Sequence, residues 1–317
     1  MLVRIIKDWD YPDLMAQSPG YSGIWEGIRF TTEPIEKCDY AVVLNRVKEP
    51  TTLVCPPEHI WSVMQEPYMP GIFEWMRHGH ESFARVYTHD TFSDDPKYIR
   101  SFPMLCWHIL KSYDELVAIE TPPEKRAEIS AIVSNKAFFP GHKMRLKFME
   151  KLQTNPALNI DYYGKGIRFI EDKWEGLAPY KYSLAIENSQ SSDYWTEKIA
   201  DCFLAYTMPI YYGCENLEDY FPKESFIQID IGQPEEAIRI IREAMDSDLW
   251  TQNLDAIKEA RSLVLNRYSL FPALAREIVL NEQENQATQC RKVTIQPYRT
   301  RLWQRVLGKI QRSLVCG

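Results

Sequence analysis

An alternation of short apolar runs with longer amphipathic stretches constrains this chain more than any other feature. The runs "LVRIIK" (2–7), "CDYAVVLN" (38–45), "IWSVMQE" (60–66), "FARVYTH" (83–89) and "FPMLCWHI" (102–109) read as strands. "LKSYDELVAIETPPEKR" (110–126) reads as a helix and a Pro-Pro linker. A second set follows: "AEISAIVSN" (127–135), a helix over 142–153, "NIDYYGKG" (159–166), "YSLAIEN" (182–188), a helix over 196–206, "MPIYYG" (208–213), "SFIQIDI" (225–231) and the helix "PEEAIRIIREAMDS". Strands alternating with crossovers predict an α/β chain with parallel sheets. The linker predicts an N-terminal unit over 1–120 and a second unit over 121–270, with a helical, basic tail over 271–317. Ligands of such sheets lie beyond the carboxyl ends of the strands, which is where functional residues are sought.

Composition excludes several classes. Of the 317 residues, 45% are apolar and 26% charged, enough to build a core and too apolar for disorder. The tail from residue 290 carries seven Arg and Lys and no acid, which leaves the preceding body at −14 against −7 for the whole chain. So acidic a body argues against a nucleic-acid partner. Seven widely spaced cysteines without a Cys-x-x-Cys pair predict reduced thiols and a cytoplasmic setting. No apolar window reaches the ~18 residues of a membrane span, and "MLVRIIKDWDYPD" does not read as a signal peptide.

The stretch "YKYSLAIENSQSSDYWTEKIADCFLAYTMPIYYG" (180–213) interrupts two apolar runs with Glu187, Asn188 and Ser189, then opens a helix with Thr-Glu-Lys. Ile199, Cys202, Phe203 and Tyr206 follow a helical stripe, with Thr196 as cap and Glu197 and Lys198 in the first turn. Helix N-termini attract anions, so a lysine there is expected to meet one. By themselves the residues equally admit a solvent-facing Glu-Lys pair.

This stretch, followed by "NLEDYFPKESFIQIDI", resembles the C-terminal signature of family 10 glycosyltransferases, the α-1,3/4-fucosyltransferases. Their order is Tyr-Lys-Phe, an apolar strand, Glu-Asn-Ser, Thr-Glu-Lys, a helix, Pro-x-x-Tyr/Trp-Gly, then Pro-x-Ser-Phe-Ile. The resemblance implies a GT-B fold of two Rossmann-like domains facing across a cleft. It also implies inverting transfer of fucose from GDP-β-L-fucose to a glycan containing N-acetylglucosamine or to a surface polysaccharide. By it, Glu197 binds fucose hydroxyls, Lys198 and Arg145 bind the diphosphate, and Glu187, Asn188, Tyr194 and Lys165 line the donor pocket. Glu66 takes the place of the family's proposed base, although Pro67 follows it where Ser or Asn is usual. No cofactor or dedicated metal site is implied, a divalent cation being at most a stimulant. The alternatives are another nucleotide sugar on the same fold, or a binding protein without catalysis.

His89 and Asp90, at a predicted strand end, are candidate acceptor contacts, and "RHGHES" (77–82) makes a poor metal cluster because its histidines lie two apart. In the tail, Leu302, Trp303, Val306, Leu307, Ile310 and Leu314 share one helical face with Arg and Lys elsewhere. Residues 299–315 therefore read either as a peripheral contact with the inner face of a membrane or as a helix packed on the domains.

Overall fold

Tyr40–Leu44 buries five consecutive residues, and Met208–Tyr212 does the same. Uninterrupted burial of that kind suits strands covered on both faces, as in parallel sheets. A computed structural model describes residues 1–133, 140–164, 166–284 and 289–299. It divides into two units, one of Met1–Cys106 with the chain from Ser269 onward, the other Trp107–Tyr268.

The first unit carries β1 (Leu2–Ile6), β2 (Ile24–Trp25), β3 (Ile28–Thr31), β4 (Tyr40–Leu44), β5 (Thr51–Cys55), β6 (Ile60–Val63), β7 (Arg85–Thr88) and β8 (Tyr98–Arg100). Seven of them form a sheet in the order β2-β3-β1-β4-β6-β7-β8, parallel throughout except β2 with β3. Glu66 lies just past the carboxyl end of β6, in the interior of this sheet.

In the second unit, α1 (Tyr113–Ala118) leads into β9 (Ala127–Ile132), α2 (Pro140–Gln153), β10 (Asp161–Tyr163), β11 (Tyr180–Ile186), α3 (Glu197–Leu204), β12 (Met208–Tyr212) and β13 (Ile227–Gln228). Helices α4 (Pro234–Met245), α5 (Leu249–Gln252) and α6 (Leu254–Leu263) follow. The strand order β10-β9-β11-β12-β13 is wholly parallel. The order reverses between β9 and β11, so the crevice beyond their carboxyl ends is the topological switch point, where such sheets bind ligands. Phe148 and Leu152 of α2 and Ile241 of α4 belong to one core with Ile129, Leu184 and Ile210. Each such side chain contributes about 1.5–3 kcal/mol by burial.

The chain then returns to the first unit as α7 (Leu270–Glu284) and β14 (Arg291–Ile295), which pairs antiparallel with β5. Tyr40 Oη donates to Glu282 Oε1 at 2.6 Å and accepts from Asn281 Nδ2 at 2.7 Å, tying α7 to the sheet.

Four expectations change. "FPMLCWHI" is not a strand; Met104 has a φ of 47°, which breaks an extended run, and the strand sits earlier as β8. The expected helix over 110–126 is only α1, whose start is fixed by a reciprocal Ser112–Glu115 cap. The boundary falls at Cys106/Trp107 and not at 120/121, and the described residues of the expected tail give the first unit α7 and the strand β14. The strands β2, β3, β5 and β14 were not apparent in the sequence: β2 has two residues, and the others alternate or carry polar residues at exposed positions. The amphipathic-tail assignment lies outside the described residues from 300 on. No helix among the described residues is long and apolar enough to cross a membrane.

Candidate functional site

The switch point of the second sheet is built by the residue that follows β11. Glu187 keeps the strand going by one bond, its N–H donating to the Tyr212 carbonyl at 2.8 Å. Its side chain is fully buried. One carboxylate oxygen, Oε1, accepts from the Thr196 amide at 2.8 Å and the Thr196 hydroxyl at 2.6 Å; the other, Oε2, accepts from Lys198 Nζ at 2.9 Å. Lys198 also donates to Thr196 Oγ1 at 3.0 Å and lies 3.5 Å from Glu197 Oε1. Lys198 thus meets one anion, Glu187, within the fold, while Thr196 caps the start of α3.

Burial pushes the Glu187 carboxyl upward, and Lys198 offsets only part of that. Desolvation alone would lower Lys198, but Glu187 and Glu197 outweigh it and its ammonium is held above the usual range. Gly213 follows from the same packing. A Cβ there would come within 2.5 Å of both Glu187 Cγ and Tyr211 Oη, so only glycine lets the buried carboxylate pass.

The neighbouring edge comes from α2. Arg145 is buried, and its Nη1 donates to Asn188 Oδ1 at 2.5 Å. Burial lowers the guanidinium and Glu187 partly restores it, which places Arg145 within electrostatic reach of the same carboxylate. The start of α2 is pressed against the loop: a Cβ on Gly141 would stand 1.8 Å from the Asn188 carbonyl oxygen. Gly141→Ala must therefore push α2 or the 187–196 loop aside. We expect a stability loss of about 1–3 kcal/mol, measured by urea melts.

The loop is fixed from beneath by Asp193, which has a φ of 61°. Its carboxylate accepts from Asn216 Nδ2 at 2.9 Å and Tyr220 Oη at 2.7 Å, and its amide donates to Asn216 Oδ1 at 2.8 Å. Tyr194, the next residue, is buried. Ile199, Cys202, Phe203 and Tyr206 are buried as their spacing predicts, but Asp201 is buried as well.

Asp201 is one of three residues that the sequence did not signal as part of the site. Its carboxylate accepts from Lys173 Nζ at 2.8 Å and from the His108 amide at 2.8 Å. Lys173 Nζ and His108 Nδ1 then lie 3.7 Å and 3.9 Å from Glu197 Oε1. A charged residue four positions after Glu197 in an otherwise apolar helix was the available signal.

The structure brings Glu187, Asn188, Arg145, Glu197 and Lys198 together in the second unit, and Lys165 lies outside the described residues. Glu66, in the first unit, is exposed on a firmly held backbone. The amide of the preceding Gln65 donates to Asn45 Oδ1 at 2.8 Å, and its side-chain amide reaches the carbonyls of Pro103 and Met104. His89 is buried. Asp90 is engaged by Arg77 in a two-bond pair at 2.6 and 2.8 Å, with the guanidinium over the Tyr68 ring, so its carboxylate is committed within the fold. His80, of "RHGHES", is buried and bonds the Trp75 carbonyl; no group that could hold a metal occurs among the described residues.

Residues 122–248 match the family model described as glycosyltransferase family 10 (fucosyltransferase) C-term. The chain is 28% identical over 180 residues to the α-(1,3)-fucosyltransferase FucT of Helicobacter pylori, covering 55% of this chain and 36% of that protein. It is 33% identical over 127 residues to human 4-galactosyl-N-acetylglucosaminide 3-α-L-fucosyltransferase 9, covering 38% of this chain and 34% of that one. The matched segment thus spans little more than a third of either relative. A crystal structure of an α1,3-fucosyltransferase with GDP aligns with a TM-score of 0.49 at 19% identity, over 85% of this chain and 92% of that one.

Proposed function

We infer, from a chain whose residues 122–248 match the family 10 glycosyltransferase (fucosyltransferase) C-terminal model, that the protein transfers L-fucose from GDP-β-L-fucose to a glycan hydroxyl with inversion. The observation that carries this reading is the convergence of Arg145, Asn188, Glu187, Glu197 and Lys198 at the switch point of a parallel sheet. Such a crevice suits a nucleotide diphosphate, and a guanidinium and an ammonium there stabilise the charge that grows on the departing GDP. Lys198 is held by Glu187 and Glu197 before any ligand arrives, so its position needs no reorganisation during reaction.

In the proposed step Glu66 takes the proton of the acceptor hydroxyl, and the oxygen attacks C1 of fucose on the face opposite the diphosphate. The C1–O bond to the β-phosphate breaks, and its electron pair leaves with GDP. Glu197 holds the sugar hydroxyls. A surface polysaccharide or a glycan with N-acetylglucosamine is the proposed acceptor class, and contact with a membrane surface through the basic tail is part of the same proposal.

A calorimetric panel of GDP-fucose, GDP-mannose, UDP-galactose and dTDP-rhamnose, followed by NMR of the product linkage, tests this reading. Preference for GDP-fucose with an α-linked product is expected. Preference for a UDP- or dTDP-sugar overturns the donor, and binding without turnover of any acceptor overturns catalysis.

A further inference from the structure

Three basic groups surround the carboxylate of Glu197, and the proposed reaction uses only one of them. Lys198, Lys173 and His108 approach it at 3.5, 3.7 and 3.9 Å, and all three approach the same oxygen, Oε1. Lys198 is shared with Glu187. Lys173 instead belongs to Asp201, one turn further along α3 on the same face as Glu197.

We propose that Lys173, braced by Asp201, is a positioning residue that orients the sugar-binding carboxylate of Glu197 and so governs affinity for the sugar separately from the nucleotide. This rests on the donor reading given above.

The brace is built into the fold. Asp201 is only 1% exposed, and a buried carboxylate must be fully paired. Its two oxygens divide between Lys173 Nζ and the His108 amide. The segments that carry those donors are tied to each other, because Asp172 Oδ1 accepts from the Leu110 amide at 2.8 Å and from the Trp174 amide at 2.9 Å. Lys173 therefore reaches Glu197 from a short turn, Lys173–Gly176, fixed at both of its neighbours.

The groups facing Glu197 are His108, Lys173, Lys198, Thr196 and Glu187. Burial disfavours the Glu197 carboxylate, but Lys198, Lys173 and His108 outweigh it and hold its carboxyl well below the usual range. Burial lowers the His108 imidazole, so the standing positive charges beside Glu197 at neutral pH are the two lysines. Removing one of them raises the Glu197 carboxyl and lets its orientation relax.

The test compares Lys173→Met and Lys173→Arg with the unaltered chain. GDP and GDP-fucose affinities are measured by calorimetry. For Lys173→Met, GDP-fucose affinity is expected to fall roughly tenfold while GDP affinity stays within about twofold. Lys173→Arg should restore the GDP-fucose affinity. Should Lys173→Met not unfold cooperatively, Lys173→Gln carries the same comparison. Equal losses for GDP and GDP-fucose overturn the inference. If the unaltered chain fails to bind GDP-fucose, the donor reading falls and takes the inference with it. An intact parent with an unaffected variant removes the inference alone.

Discussion

Lys198→Met is expected to lower kcat by about 10²–10³ and to destabilise the second unit in one stroke. Two costs add. The first is the proposed stabilisation of the departing diphosphate, for which a lost preorganised donor typically lowers kcat by about 10²–10³. The second is structural. Glu187 is fully buried, with Lys198 as its charged partner at 2.9 Å, and removing one half of a buried pair costs about 3–5 kcal/mol. Protonation of Glu187 relieves part of that cost, because burial already pushes its carboxyl upward. The Lys198→Met variant should therefore be more stable at pH 5 than at pH 8, as the unpaired carboxylate takes up a proton on acidification. The double variant Lys198→Met/Glu187→Gln separates the two effects. It should recover most of the stability, since Gln can still accept from Thr196, yet recover none of the activity. Urea melts at both pH values and kcat with GDP-fucose read the outcome. A single variant as stable and active as the parent would falsify the assignment of this pair.

What could be read from the sequence follows the strength of local patterns. The runs 38–45 and 208–213 place strands because buried parallel strands are continuously apolar, and the structure has β4 and β12 there. The weak runs failed for the same reason: β2, with two residues, and β14, with one buried position of five, carry too little periodicity to register. "FPMLCWHI" failed in the opposite way, because its apolar residues fill a core from irregular backbone. At the site, chain-local residues were legible. Glu187, Asn188, Glu197 and Lys198 lie within twelve positions of one another, and a family signature names them together. Arg145 was legible only through that resemblance, since nothing along the chain says that α2 meets Asn188. Of the Lys173–Asp201–His108 network only Asp201 left a signal, as a charge among the apolar residues of α3. The members lie dozens of residues apart, and Lys173 and His108 each pass for an ordinary surface charge. The first-turn lysine was half legible, for its charge demanded an anion and Glu187 supplies one from within the chain.

Glu66→Gln is expected to lower kcat by about 10²–10⁴ while leaving donor binding and stability intact. The substitution keeps the shape of the side chain and removes its basicity. Glu66 is exposed just beyond the carboxyl end of β6, whereas its neighbour Gln65 is buried and does the anchoring through Asn45, Pro103 and Met104. A carboxylate on such a rigid base can approach an acceptor hydroxyl without paying to order its own backbone. The measurements are steady-state kinetics with donor and acceptor, calorimetry with GDP-fucose and a urea melt. Unchanged donor affinity and an unchanged melt with a collapsed kcat would assign the base. Activity within a few-fold of the parent would move that role to another group, and Asp90 would be a poor replacement because Arg77 already holds both of its oxygens. A loss confined to KM for the acceptor would instead make Glu66 a binding residue, with proton removal left to solvent.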